Sequence, residues 1–345
     1  MPHLLAASRG IHRALYGIVK PEMFAFESSG AVRRDVVAVL ADAAMDASAS
    51  EAVVRALRER YGDDVMLVPT GTDAGVGALV ERVLATLRPK LIVAWGGDAL
   101  ISAIAAAVRG QPVELAIIPS GSQTIARALG IPSARADACA AVRRAAVQDL
   151  DVLEADGGVV LARVLFGRFS ELERRMHEPR PWLSRAWSML GELFGYRIGF
   201  ELEIDGELHR VRATSVIAAN AGGIGYGGLQ WAPGIEHGDG RFDVVVVHSS
   251  TIFDYAALLW SWGTRRPRAR QVTHLRVHRQ LRVRARRPVS VTLDGRHTEA
   301  SELTISLAAK PLRMVFPEPQ LLVDSAPVHV SPSSVAPPIP WPQAS

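Results

Sequence analysis

Between Val36 and Pro119 the chain alternates short apolar runs with amphipathic stretches, and this rhythm restricts the fold more than any other feature. Val36–Leu40, Val65–Pro69, Leu91–Trp95 and Leu115–Pro119 read as buried strands. Ser50–Tyr61 reads as a helix that Ser50 can cap, with Val53, Val54 and Leu57 on its apolar face. Val76–Leu87 and Ile101–Val108 read as further helices, and another follows Pro119. Such alternation specifies a mostly parallel sheet with helices on both faces, whose ligands bind outside the carboxyl ends of the strands. Two glycine-containing turns, Trp95-Gly96-Gly97-Asp98 and Pro119–Arg127, fall at that edge.

After Asp149 the rhythm changes to short strands: Val159–Leu165, Phe200–Ile204, Val211–Asn220, Phe242–Val247, Leu275–Val277, Leu281–Arg284, Val289–Leu293 and Leu303–Leu307. Asp205-Gly206 and Asp294-Gly295 are hairpin signals between them. Helices are expected near Trp182–Phe194 and Phe253–Trp262. The expected organisation is an N-terminal extension (1–30), a nucleotide-binding α/β domain (31–149), a β-rich, mainly antiparallel domain (150–320) and a disordered Pro/Ser-rich tail (325–345).

A chain of 345 residues accommodates two domains. It contains no apolar run of the roughly 18 residues that a spanning helix needs. Met1–Leu15 lacks a signal-peptide pattern, and the single Cys139 excludes an internal disulfide, so a cytoplasmic protein is expected. Charge is nearly balanced, 39 Lys+Arg against 35 Asp+Glu, but ten arginines and no acid occupy Arg265–Arg287. Two readings of that block stand: solvated strand faces, or a patch for phosphates or an anionic membrane surface. The aromatic stretches Trp182–Leu190 and Ile252–Trp262 likewise read as core or as a lipid entry. No nucleic-acid partner is expected, and a homodimer remains open. The histidines show no metal-ligand spacing.

The chemistry resides in the two turns. Gly96 and Gly97 let the backbone approach a ligand or take positive φ, and the helix behind them points N–H groups at an anion. Asp98 could hold Mg²⁺, accept a proton or merely cap. One strand later Gly121, Ser122, Gln123 and Thr124 form a second turn, with Arg127 on the helix that follows. Side by side, the turns would cradle a polyphosphate.

Trp95-Gly96-Gly97-Asp98, then Ile118-Pro119-Ser120-Gly121-Ser122 and Ala126-Arg127-Ala128-Leu129-Gly130-Ile131-Pro132, resembles the diacylglycerol kinase catalytic-domain family, which includes bacterial lipid kinases and sphingosine and ceramide kinases. Asn220-Ala221-Gly222, Ala232-Pro233-Gly234, Asp239-Gly240-Arg241-Phe242-Asp243 and Asp294-Gly295-Arg296 extend the resemblance in order. It implies an ATP- and Mg²⁺-dependent kinase acting on a hydroxyl of diacylglycerol or a related lipid at the inner face of a membrane. Asp98 or Asp294 would accept the hydroxyl proton; Gly96, Gly97, Asp98, Gly121, Ser122, Gln123, Thr124 and Arg127 would bind nucleotide; Asp239 matches a cation site. The family's Gly-Gly-Asp-Gly-Thr is here Gly96-Gly97-Asp98-Ala99-Leu100, and Arg296 replaces the glutamate of Asp-Gly-Glu. At Ala99 a positive φ would cost about 1 kcal/mol. A catalytically impaired nucleotide- or lipid-binding relative is the alternative, and an NAD kinase-like protein fits less well.

Overall fold

The computed structural model describes residues 36–42, 45–70, 75–144, 146–176, 197–223, 235–249, 254 and 272–317. The expected N-terminal extension, the helices at Trp182–Phe194 and Phe253–Trp262, Ala232-Pro233-Gly234, the first half of the arginine block and the tail lie outside the described residues.

The first sheet begins with β1 (Val37–Asp42), followed by α1 (Ala47–Tyr61), β2 (Val65–Thr70), α2 (Val76–Leu87), β3 (Leu91–Gly96), α3 (Asp98–Val108) and β4 (Glu114–Pro119). Next come α4 (Thr124–Ala128), α5 (Arg135–Arg143) and β5 (Ala146–Leu150). β1, β3 and β4 are buried along nearly their whole length, which is why they read as continuous apolar runs. Alternate residues serve opposite faces. Ile92 and Ala94 pack with Val76, Val80 and Val83 of α2 and Ile101 and Ile104 of α3. Leu91, Val93 and Trp95 pack with Val53 and Leu57 of α1 and Cys139 and Val142 of α5. The α1 cap is Asp46, whose Oδ1 accepts from Ala49 N, and not Ser50, which lies one turn inside and donates its hydroxyl to Asp46 O. The helix therefore starts earlier than expected.

The second sheet is assembled from β6 (Leu153–Ala155), β7 (Gly158–Val160), β8 (Arg163–Gly167), β9 (Ile198–Ile204), β10 (Glu207–Ala213), β11 (Ser215–Ala219), β12 (Phe242–Val247), β13 (Val272–Val277), β14 (Gln280–Leu293) and β15 (Arg296–Leu307). These ten strands are antiparallel, and α6 (Arg168–Met176) packs on β14 and β8. The expected strands Val159–Leu165 and Val211–Asn220 are each two strands, while Leu281–Arg284 and Val289–Leu293 are one. A register shift between Arg284 and Val289 lets β14 pair with β9 over its first half and β8 over its second. Asp205-Gly206 and Asp294-Gly295 form two-residue hairpin loops with positive φ at both positions, as their type requires.

The chain then returns. β16 (Leu312–Phe316) inserts into the first sheet between β4 and β5, giving the order β2-β1-β3-β4-β16-β5. The strand pairs parallel to β4 and antiparallel to β5.

Candidate active site

Register sets the two turns side by side: Gly96 pairs with Pro119, and Ser120 N donates to Gly96 O at 2.8 Å. Neither Gly96 nor Gly97 uses a positive φ; space is what each provides. A Cβ on Gly96 would come within 2.5 Å of Leu100 Cδ2, and one on Gly97 within 3.4 Å of Ser120 O. Gly121 is the residue in the left-handed region, at φ +68°. Ala99 is helical, inside the first turn of α3, so the expected strain there is absent. Trp95 is buried on the α1–α5 side and is not part of the cleft.

Asp98 opens α3 and is 5% exposed. Its Oδ2 accepts from Thr124 N at 2.9 Å and from the Ser122 hydroxyl, and its Oδ1 from Ile125 N at 3.0 Å. The carboxylate of the first turn thus fills the amides that open α4, pinning the second turn to it. A short helix start otherwise left with unsatisfied N–H groups is closed this way.

The hairpin between β14 and β15 closes on the same point. Gly295, at φ +89°, sits so that an added Cβ would lie 3.3 Å from Thr124 Oγ1 and 3.4 Å from Asp98 Oδ2. Asp294 beside it is buried and its carboxylate accepts from the amides of Leu161 (2.6 Å), Ala162 (3.1 Å) and Arg163 (2.8 Å). Burial raises its pKa to about 6, against the opposing pull of those amides and of Arg163. Each aspartate accepts from three N–H or O–H donors, which suits bracing and leaves little for a metal.

The structure brings together Gly96, Gly97, Asp98, Gly121, Ser122 and Thr124 with Asp294-Gly295. Gln123 is the N-cap residue of α4 without a side-chain capping bond, and Arg127 lies exposed on that helix. Arg296 points to the β6–β7 turn, 3.2 Å from Asp156, and is 58% exposed. Asp239 has its contacts elsewhere. Its Oδ2 takes the Arg241 guanidinium, its neighbour Gly240 N donates to Asp151 Oδ2 at 2.8 Å, and its own Oδ1 is buried with no partner among the described residues. No three of His, Cys, Asp or Glu among the described residues are grouped to hold a metal ion.

Several members of this architecture were not singled out as site residues. Asn220, fully buried, donates to Asp151 O at 2.6 Å and Leu161 O at 2.8 Å. Arg163, in the apolar run of β8, pairs with Glu173 of α6 at 3.1 Å, both nearly buried. A lone arginine inside a buried strand was the available signal. Gly223 lies against α4, where a Cβ would come within 2.5 Å of Ala128 O.

A mostly parallel sheet with paired glycine turns at its carboxyl edge is closed there by a hairpin from an antiparallel lobe. The model of the diacylglycerol kinase catalytic domain matches residues 41–155, and that of the YegS C-terminal NAD kinase beta sandwich-like domain matches 167–316. The chain belongs to the diacylglycerol kinase family as a divergent member. Curated proteins of two Mycobacterium tuberculosis strains, each called diacylglycerol kinase, are 26% identical over 215 residues, covering 59% of this chain and 69% of theirs. A solved diacylglycerol kinase structure from Bacillus anthracis str. Sterne shares the fold with a TM-score of 0.61 at 16% identity, covering 84% of this chain and 99% of that one. Another structure from that source reaches 0.65 at 19% identity with the same coverage.

Proposed function

We propose that this protein transfers the γ-phosphoryl group of ATP, taken as its Mg²⁺ complex, to a hydroxyl of diacylglycerol or a related lipid. The observation that carries the reading is the meeting of both glycine turns and the Asp294-Gly295 hairpin at the Asp98 carboxylate. The likeness to proteins called diacylglycerol kinase supports the substrate class.

In this reading the triphosphate lies along Gly96–Ala99 and Gly121–Gln123. Gly97 starts α3 without a side-chain cap, so the backbone N–H groups of that first turn are available to an anion. Arg127 adds positive charge from α4. The lipid oxygen attacks the γ-phosphorus as the bond to the β-phosphate bridging oxygen breaks, and ADP leaves with that electron pair. Asp98 is buried, whereas Ser122 is exposed and donates to it. The hydroxyl proton therefore passes to Ser122 Oγ as the Ser122 proton passes to Asp98. Asp294, braced by amides, positions Gly295 against Asp98. For a resident cation the residue that fits is Asp239, through its Oδ1, which has no partner among the described residues. Lipid would be met at the inner membrane surface; among the described residues no helix is long and apolar enough to cross a membrane.

A second reading, a relative that binds nucleotide or lipid without turnover, is favoured by the bracing bonds on both aspartates and by Arg296 at the glutamate position of the motif. Purified protein offered Mg-ATP with diacylglycerol, and separately with a sphingoid base, separates the two. The first reading expects phosphorylated lipid, at least about 100-fold slower with Asp98→Ala and about 10- to 100-fold slower with Ser122→Ala. Absence of product from the wild-type protein, with ATP still raising its melting temperature, decides for the second.

A further inference from the structure

The outward face of β9, β10 and the first half of β14 carries a charge pattern with one gap. Glu201 of β9 stands between Arg210 of β10 and Arg284 of β14 in register, and Arg210 Nε lies 3.1 Å from its carboxylate. On the other side of that row, Glu203 pairs with Arg282 at 3.7 Å. Two residues before Glu201 the column reads Gly199 instead of an acid, opposite Arg212. The β9–β14 ladder ends at Ala285 opposite Phe200, and Arg286, the next residue of β14, lines the same groove as Gly199. An arginine–glutamate–arginine row is followed by an arginine–glycine pair with Arg286 beside it.

The gap is open. A Cβ at Gly199 would meet nothing within 4 Å, and its φ is not in the left-handed region. Arg212 and Arg286 are exposed, and neither guanidinium makes a hydrogen bond or ion pair among the described residues. A groove of about 710 Å³ runs here, lined by Arg210, Arg212, Arg284 and Arg286 around Gly199 and Glu201. Behind it Phe200, Leu202 and Ile204 are locked in the core, so the base is rigid. Two strand spacings put the Cα atoms of Arg212 and Arg286 about 10 Å apart, a span that two arginine side chains close around one tetrahedral anion.

We propose that this niche binds a phosphate-class anion in place of the missing carboxylate. It is not the cleft. Arg286 precedes Leu293, at the cleft end of β14, by a stretch that spans about 20 Å of strand. The phosphate held there is therefore not the one being transferred, and the inference does not rest on the kinase reading. Two sources carry the same chemistry: free phosphate, and the head group of an anionic phospholipid.

The test compares the wild-type chain with Gly199→Glu, which supplies the absent acid, and with Arg212→Gln/Arg286→Gln, which keeps the notch but removes the charge. Inorganic phosphate binding is read by titration calorimetry, and association with phosphatidic acid or phosphatidylcholine vesicles by sedimentation. Phosphate binding at least tenfold weaker in both variants, with the Gly199→Glu melting temperature unchanged or higher, supports the niche. If phosphatidic acid vesicles are also retained only by the wild type, the source is a lipid head group; phosphate binding without vesicle retention makes it free phosphate. Equal phosphate affinity in all three proteins overturns the proposal, because any phosphate taken up by the cleft is common to them. Should Gly199→Glu fail to fold, the arginine pair carries the same decision alone.

Discussion

Asp98 is held by donors from one neighbouring turn, so its removal acts on structure and chemistry together. Asp98→Ala leaves the amides of Thr124 and Ile125 without an acceptor and should lower stability by about 1–3 kcal/mol, measured by urea denaturation. Gly295→Ala combines a left-handed φ with a new methyl against Thr124 and Asp98, and should cost about 1–3 kcal/mol and depress nucleotide binding. Asp294 supplies a pH signature. Its folded pKa, about 6, lies above the ordinary carboxylate value, so the folded state binds its proton more tightly than the unfolded state. Its contribution is then fully present below about pH 4 and is lost as pH rises towards about 6; a carboxyl carbon titrating near 6 in NMR spectra checks this. Sequence alone exposed Asp98 and Asp294 as acids at strand ends. It did not expose their roles, because the amides that brace them come from Thr124–Ile125 and from Leu161–Arg163, brought near only by the fold. Arg296, which stands where the resemblance expects a glutamate, has an exposed partner in Asp156. Arg296→Glu should change stability by less than about 1 kcal/mol, and a rise in metal-dependent ATP affinity would place that position beside the nucleotide.

Elements whose burial is uniform were legible, since β1, β3 and β4 are apolar on both faces and α2 has one clean apolar stripe. Breaks inside apolar runs were not. Val211–Asn220 looks unbroken, yet Thr214 interrupts it by turning both its amide and its hydroxyl to Val247 O. Exposure alternates before Thr214 and ceases after it, and that change of period is the sign of two strands. At the same scale, Arg163 of β8 and Glu173 of α6 form a pair with 8% and 11% side-chain exposure. Arg163→Met removes the buried cation beside Glu173 and should destabilise the protein by about 3–5 kcal/mol, whereas the double replacement Arg163→Met/Glu173→Gln should recover part of that loss.

Across the whole molecule, β16 makes the two lobes one folding problem. Its partners, Leu115 of β4 and Ala146–Leu150 of β5, lie far back in the chain, so no local pattern announces that Leu312–Phe316 belongs to the first sheet. A fragment of residues 36–150 should therefore lack a cooperative unfolding transition by circular dichroism, although the catalytic-domain match ends close to that boundary. The Asp294-Gly295 hairpin closes against Thr124 of α4 and Asp98, and on that closure the kinase reading depends. A titration of the amide-labelled chain with the Mg²⁺ complex of a non-hydrolysable ATP analogue, followed by NMR, tests it most directly. Shifts concentrated at Gly97, Ala99, Gly121, Ser122 and Gln123, with a smaller response at Gly295, are the predicted result. Saturable binding that leaves those amides unmoved would contradict it.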